Sequence, residues 1–142
     1  MLDHIKRKLE LYINSQNIGS KLFKIQIAYS GGLDSSCMLH ALMDLKIQYN
    51  LDLFLTYINY HTSEYSNDVQ DYIEEITLEK SKKNICHAKI SRKENFESVA
   101  RKIRYKVLKE LHEKNSIDLT FTAHHLNDQI ETVIMKFING SD

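Results

Sequence analysis

The chain contains no proline and no tryptophan, and it has only two cysteines and four glycines. Cys37 and Cys86 are far apart and form no Cys-x-x-Cys pair, which argues against a zinc ribbon or a disulfide framework. No apolar run reaches the roughly 18 residues of a membrane-spanning helix, and the N-terminal residues lack the apolar core of a signal peptide. We therefore expect a protein of a reducing, cytoplasmic compartment with no membrane partner.

The formal net charge is zero, but the charged residues are distributed unevenly along the chain. Residues 51–79 hold seven acidic residues and no Lys or Arg, whereas residues 80–109 hold eleven basic residues and two acidic ones. Such segregation allows one side of the protein to face a polyanion. Solvated helix faces of opposite sign explain the pattern equally well. Composition alone therefore allows a nucleic-acid partner without requiring one.

Hydrophobic periodicity predicts alternating strands and helices along the whole chain. An amphipathic helix opens the chain. Strands are predicted at about 24–29, 51–58, 85–90 and 119–123, and further helices at about 34–46, 66–82, 97–114 and 126–138. This alternation is typical of an α/β domain in which a parallel sheet has helices on both faces. Residues 1–142 are expected to form one such domain, of the Rossmann type.

Two of the four glycines lie together between the first strand and its helix, in Ser30-Gly31-Gly32-Leu33-Asp34-Ser35. Adjacent glycines let several backbone N–H groups converge on one point, and the following helix adds the positive end of its dipole. The segment is neither GxGxxG nor a Walker A motif. A tight turn is the simpler explanation of a Gly-Gly pair. The six-residue pattern in this setting instead predicts a phosphate-binding loop.

Other polar residues follow the predicted strands. Asn59, Tyr60 and His61 come after the second strand, and His124 and His125 come after the fourth. Because the carboxyl ends of parallel strands lie at one edge of a sheet, we expect these residues beside the glycine loop.

The final predicted helix carries two acids. Asp128 and Glu131 are separated by three positions, so a helix would present both carboxylates on one face of its first turn. Two solvated acids at a helix start are the alternative interpretation. Carboxylates beside paired histidines could hold a metal or a substrate ammonium group, and a histidine could transfer protons near neutral pH.

Arg101 and Arg104 lie on a separate stripe of the helix predicted at 97–114. An arginine guanidinium is suited to phosphate, although helix arginines are commonly surface charges.

Three motifs together make the chain resemble a known family. AYSGGLDSS at 28–36, ARKIRY at 100–105 and TAHHLNDQIETVIMKFINGS at 122–141 occur in the order and spacing of the N-terminal catalytic domain of bacterial tRNA(Ile)-lysidine synthetases. SGGxDS alone would identify only the superfamily of PP-loop ATP pyrophosphatases. The resemblance implies that ATP adenylates the C2 oxygen of the wobble cytidine in tRNA(Ile) with a CAU anticodon. The ε-amine of free L-lysine would then displace AMP.

The same resemblance implies roles for individual residues. Asp34 would hold Mg²⁺, Arg104 and His124 would lie against the reacting nucleotide and phosphate, and Asp128 and Glu131 would bind the lysine amine. The residues expected to bind ATP are Ala28, Tyr29, Ser30, Gly31, Gly32, Leu33, Asp34, Ser35 and Asn59.

The chain also departs from the family pattern. Tyr60 and Ser63 stand where the family usually has His and Arg, and Asn127 replaces a common Asp. The family continues into C-terminal tRNA-binding domains, so we expect a shortened chain that lacks them or receives them from a partner subunit. Two alternatives remain open: another PP-loop adenylating enzyme that amidates or thiolates its substrate, and a non-catalytic nucleotide-binding subunit.

Overall fold

The computed structural model describes residues 2–15, 22–91, 95–126 and 129–135. The helices are α1 (Leu2–Ser15), α2 (Leu33–Leu45), α3 (Glu64–Glu75) and α4 (Phe96–Lys114). The strands are β1 (Phe23–Tyr29), β2 (Leu51–Asn59), β3 (Lys83–His87), β4 (Leu119–Leu126) and β5 (Gln129–Met135). None of the helices in these ranges is long and apolar enough to cross a membrane.

The described strands form one sheet in the order β3-β2-β1-β4-β5. β1 pairs parallel with β2 and with β4, and β2 pairs parallel with β3. The predicted parallel sheet is therefore confirmed for the first four strands. Since β1 has β2 on one side and β4 on the other, the winding of the chain reverses beside β1. Ligands of open α/β sheets bind at such a switch point, at the carboxyl ends of the strands.

The two faces of the sheet are covered by different helices, also as predicted. On one face, alternate residues of β1 and β2 join an apolar core with α1, α2 and α3. Fully buried members of this core include Ile25, Ile27, Leu53, Leu55, Met38, Leu42 and Ile73. The opposite face packs on α4, where the Gln26 amide donates to the Leu108 carbonyl at 3.1 Å. Strands covered on both faces explain why residues 51–58 read as a nearly continuous apolar run.

The prediction for residues 126–138 was wrong. This segment was expected to be a helix, but β5 lies antiparallel to β4, with Cα pairs running from Thr120–Met135 to Leu126–Gln129. The apolar spacing of the segment fits a helix. Four of the seven residues of β5, however, are β-branched, and such residues favour strands: Ile130, Thr132, Val133 and Ile134.

Asn127 and Asp128, between β4 and β5, lie outside the described residues. An amphipathic period and a run of β-branched residues can coincide in a short segment. Pairing with β4 then decides between the two structures.

One helix is shorter than predicted. α3 ends at Glu75 rather than near Lys82, because Ile76 adopts extended backbone angles (φ −66°, ψ 140°). A 3-10 turn, Lys80–Lys82, then leads into β3.

Candidate active site

The glycine loop connects the carboxyl end of β1 to the first turn of α2. Gly31 has a φ of +85°, a region that L side chains rarely adopt. A Cβ placed on Gly31 would lie 2.6 Å from Cγ2 of Val69 in α3. Both the backbone angle and the close approach of α3 therefore require glycine at this position.

Hydroxyl groups fix the shape of this loop. The Ser35 hydroxyl is buried and accepts from the Ser30 backbone N–H at 3.1 Å. The two serine hydroxyls are 3.0 Å apart, and the Gly32 N–H donates to the Ser30 Oγ at 3.2 Å. From α3, the Tyr65 hydroxyl donates to the Gly31 carbonyl at 2.8 Å. These contacts tie the loop to the first turn of α2 and to α3.

The N-terminus of α2 remains suited to an anion. Gly32 occupies the cap position and supplies no side-chain hydrogen bond to the first turn. Helix N-termini leave unpaired N–H groups and carry partial positive charge, a combination that binds phosphate. Asp34 lies in this first turn, and its side chain lies outside the described part of the structure.

A cavity of about 270 Å³ opens beside the loop, between the carboxyl ends of β1 and β2 and the side of α4. Its walls combine hydroxyls, tyrosine rings and one guanidinium, that of Arg104. The lining residues are Ala28, Tyr29, Ser30, Thr56, Tyr57, Ile58, Tyr60, Thr62, Ser63, Tyr65, Ser66, Arg104 and Leu108. A partly apolar cleft with a few polar groups at the switch point of an α/β sheet is a typical small-ligand site.

Three tyrosines in this wall keep their protons at neutral pH. Burial raises the pKa of Tyr29, Tyr57 and Tyr60 above the ordinary tyrosine value. Hydrogen bonds from Ser36 and Ser66 oppose the rise at Tyr29 and Tyr57, and the positive charge of Arg104 opposes it at Tyr60. Neutral phenols add no negative charge near a phosphate, and Arg104 supplies the permanent positive charge of the cavity.

The cavity brings together four of the residues assigned to the site from the sequence, Ala28, Tyr29, Ser30 and Arg104, together with Tyr60, which was expected beside the loop. Arg104 reaches the cavity, whereas Arg101 is exposed and donates to the Tyr105 hydroxyl at 3.3 Å. Gly31, Gly32, Leu33 and Ser35 belong to the adjoining loop and the first turn of α2.

Asn59 makes its contacts with protein groups in this structure, and its role in ATP binding stays a prediction. Its side chain is fully buried and does not line the cavity. The amide donates to Asn67 and Gln70 of α3, each at 3.2 Å, and its oxygen accepts from the His61 backbone N–H at 2.8 Å. Asn59 therefore shapes the connection between β2 and α3.

Sequence reasoning missed the residues of α3 and β2 that complete the cavity. Tyr57, Tyr65 and Ser66 were not singled out, yet all three line it, and Tyr57 donates to the Ser66 carbonyl at 3.0 Å. Their only signal is position, since they flank the carboxyl end of β2. Lining residues that belong to no motif can be recognised only once the position of α3 against the sheet is known.

The motif at 122–141 begins in β4, which pairs with β1 and so reaches the edge of the sheet where the glycine loop lies. β4 extends to Leu126, so His124 is within the strand and not after it as predicted. Its Cα pairs with that of Glu131 in β5, two positions beyond the pair that joins Ala28 to Thr122. The helical argument for Asp128 and Glu131 is therefore wrong for Glu131. Asp128 and the side chains of His124 and Glu131 lie outside the described residues.

No group of three or more His, Cys, Asp or Glu that could hold a metal occurs within the described part of the chain. Mg²⁺ in nucleotide sites is commonly bound by one or two carboxylates together with substrate phosphates, rather than by a complete protein cage. Asp34 stays the predicted carboxylate of such a site.

A glycine loop at a helix N-terminus, next to a cavity at the switch point of a parallel sheet, defines an α/β nucleotide-binding domain. Residues 1–142 match the PP-loop domain family, and the chain belongs to that family.

Two relatives are similar along most of this chain. The tRNA(Ile)-lysidine synthase of Clostridium tetani is 33% identical over 136 residues, covering 91% of this chain and 29% of the relative. That of Clostridium perfringens is 31% identical over 145 residues, covering 96% of this chain and 31% of the relative. The resemblance drawn from the three motifs is thereby confirmed. The chain spans less than a third of the length of these relatives.

The fold has a solved counterpart. The U34-tRNA thiolase NcsA from Methanococcus maripaludis superposes with a TM-score of 0.68 at 23% identity, covering 89% of this chain and 46% of that chain. At this identity the match establishes the fold alone.

Proposed function

We propose that this domain uses ATP to modify tRNA, ligating lysine to C2 of the wobble cytidine of tRNA(Ile) in the cytoplasm. The observation that carries the proposal is the cavity containing Arg104, which adjoins a glycine loop held by hydrogen bonds with Ser35 and Tyr65. Similarity to two tRNA(Ile)-lysidine synthases along at least 91% of the chain supports the choice of substrates.

ATP is assigned to the loop and the cavity together. Its phosphates would contact the N–H groups at the start of α2, and its nucleoside would occupy the cavity between Tyr57 and Arg104. The rigid loop matters because phosphoryl chemistry depends chiefly on positioning and on stabilisation of developing charge. Mg²⁺ bound through Asp34 would neutralise the charge of the leaving pyrophosphate.

The reaction has two steps with separate leaving groups. The cytidine C2 oxygen attacks the α-phosphorus of ATP, and pyrophosphate leaves. The lysine ε-amine then attacks C2, the bond to AMP breaks, and the amine loses a proton. Arg104 lies in the cavity wall where it can contact the phosphate that becomes AMP.

The lysine site is proposed at Asp128 and Glu131. The support is the motif and the strand pairing that puts the Glu131 backbone beside His124, at the edge where β1 meets the glycine loop. Carboxylates are the natural partners of an ammonium group, and His124 is proposed as the group nearest the reacting phosphate.

Thiolation is disfavoured by the state of the cysteines. Burial raises the pKa of Cys86, and the negative charge of Glu110 raises it further. A thiol with a raised pKa is a weak nucleophile, since the thiolate is the reactive form. The other cysteine, Cys37, lies in α2 and packs against the apolar core.

The test is transfer of labelled lysine to tRNA(Ile) with a CAU anticodon, in the presence of ATP and Mg²⁺. We expect lysine incorporation with a matching release of AMP, and loss of both in Asp34→Ala. Asp44→Ala, an exposed acid near the other end of α2, is the matched control and should retain activity.

Other outcomes separate the alternatives. AMP released with tRNA but without dependence on lysine would identify a different PP-loop adenylating enzyme. ATP binding without AMP release would identify a nucleotide-binding subunit. Either result would contradict lysine ligation by this chain.

A further inference from the structure

A second cavity, of about 740 Å³, adjoins the first at the same edge of the sheet. Tyr60 and Thr62 line both cavities, so the two lie side by side. The lining residues are Tyr60, His61, Thr62, Lys89, Ile90, Ser91 and Phe96. The nucleotide site proposed above uses none of these except Tyr60 and Thr62.

The second cavity has an aromatic wall with a fixed position. Phe96 opens α4, whose start is capped by the Asn95 side chain accepting from the Ser98 N–H at 3.3 Å. The Phe96 ring packs edge-on against Tyr60, with centroids 5.6 Å apart, and Tyr60 donates to the Ala100 carbonyl at 3.2 Å. Phe96 nevertheless remains 39% exposed. A rigid, exposed ring facing a cavity is a surface on which a base can stack.

The lining also contains a histidine, His61, whose ring contacts that of His87. His61 has a φ of +56°, and its ring stacks on that of His87 with a ring-nitrogen contact of 2.8 Å between His61 Nε2 and His87 Nδ1. The outer ring nitrogens, His61 Nδ1 and His87 Nε2, can each donate or accept a hydrogen bond, according to the tautomer.

The charge of the cavity is positive. Lys89 is exposed in the lining, and no acidic side chain lines the cavity among the described residues. Lys89 also belongs to the basic segment 80–109 identified in the sequence. This composition opposes an ammonium ligand and favours an anion attached to a flat ring.

We propose that the second cavity binds a nucleotide of single-stranded RNA next to the nucleotide that reacts. Its base stacks on Phe96, its phosphate contacts Lys89, and His61 hydrogen-bonds its sugar or base edge. This inference rests on the proposed function, because an RNA substrate must lie across the first cavity for a neighbouring nucleotide to reach the second. Aromatic stacking beside a cation is how unpaired nucleotides are held by proteins.

The experiment measures binding of a labelled single-stranded RNA containing CAU to the chain, without ATP or lysine, over a range of salt. We expect Phe96→Leu to weaken binding at least fivefold, within the roughly five- to 150-fold range of losing one stacked base. Phe96→Tyr retains an aromatic ring and should bind the RNA with wild-type affinity. Lys89→Gln should lower the slope of log affinity against log salt by about 0.7, whereas Lys106→Gln, an exposed lysine of α4 outside the cavity lining, is the matched control.

Wild-type affinity in Phe96→Leu, or equal weakening in Phe96→Tyr and Phe96→Leu, would overturn the proposed site. So would Lys89→Gln with an unchanged salt slope. The outcome is separable from that of the lysine assay. RNA binding that depends on Phe96 without lysine transfer would reject the ligase assignment alone, and lysine transfer with RNA binding independent of Phe96 would reject this site alone.

Discussion

At the scale of single residues, the site depends on a glycine whose conformation and neighbours both exclude a side chain. Gly31 combines positive φ with contact to Val69, whereas Gly32 has a φ of −78° and would place a Cβ 3.4 Å from the Ser30 Oγ. The two adjacent glycines are therefore unequal. The sequence pattern marks both, and the backbone angle of Gly31 and the packing of α3 against it distinguish them.

Gly31→Ala should lower the free energy of unfolding by about 1–3 kcal/mol, through backbone strain and the clash with Val69. Gly32→Ala should change it by less than about 1 kcal/mol, since its backbone angles suit any residue. Urea unfolding of both variants measures the difference. Adding Val69→Ala to Gly31→Ala should recover part of the loss. Equal stability of Gly31→Ala and Gly32→Ala would contradict the described loop.

At the scale of elements, α4 is attached to the sheet by a buried polar network. The Thr56 hydroxyl donates to the Gln26 side-chain oxygen at 2.5 Å, and the Gln26 amide donates to Thr120 at 2.9 Å. His112 of α4 is 3.0 Å from the same Thr120 hydroxyl. Because Thr56 also lines the first cavity, this network connects the cavity wall to α4, the helix that carries Arg104.

Stability should fall with acid because of His112. Burial lowers the pKa of this histidine, although Asp118 and Glu113 act in the opposite direction. The unfolded chain then binds more protons than the folded chain below the ordinary histidine pKa of about 6.5, so stability is complete above that pH and declines below it. Urea unfolding should show a slope of at most about 1.4 kcal/mol per pH unit from this group.

The control for that measurement is a pair of histidine variants. His112→Asn keeps a polar group near Thr120 and should lose this part of the pH dependence. His40→Asn, an exposed histidine of α2, should retain it. An unchanged pH profile in His112→Asn would show that the buried histidine is not the titrating group.

The elements also show what sequence can and cannot predict. Strands β1, β2 and β4 and helices α2 and α4 were predicted because long periodic runs and the glycine loop mark them. β5 was not, because its apolar positions fit a helix as well as a strand. The resemblance assigned Asn59 to ATP, and local sequence gave no sign that its amide also contacts Asn67 and Gln70 of α3. The contacts that a packed helix makes with other elements cannot be predicted from the local sequence pattern.

At the scale of the whole molecule, topology concentrates the chemistry at one edge of the sheet. The loop after β1, the residues after β2 and the start of α4 meet there, and both cavities open between them. Acidic α3 and basic α4 lie on opposite faces of the sheet, so an RNA approaching this edge is favoured along the α4 side. The acidic and basic segments of the sequence are thus placed on opposite faces of the sheet.

The most direct test of the account is an ATP titration followed by amide chemical shifts. We predict saturable binding with the largest shifts in residues 30–35, and further shifts around Tyr57, Tyr65 and Arg104. Shifts confined to the opposite edge of the sheet, or no saturable binding, would contradict the assignment of the glycine loop and its cavity to ATP.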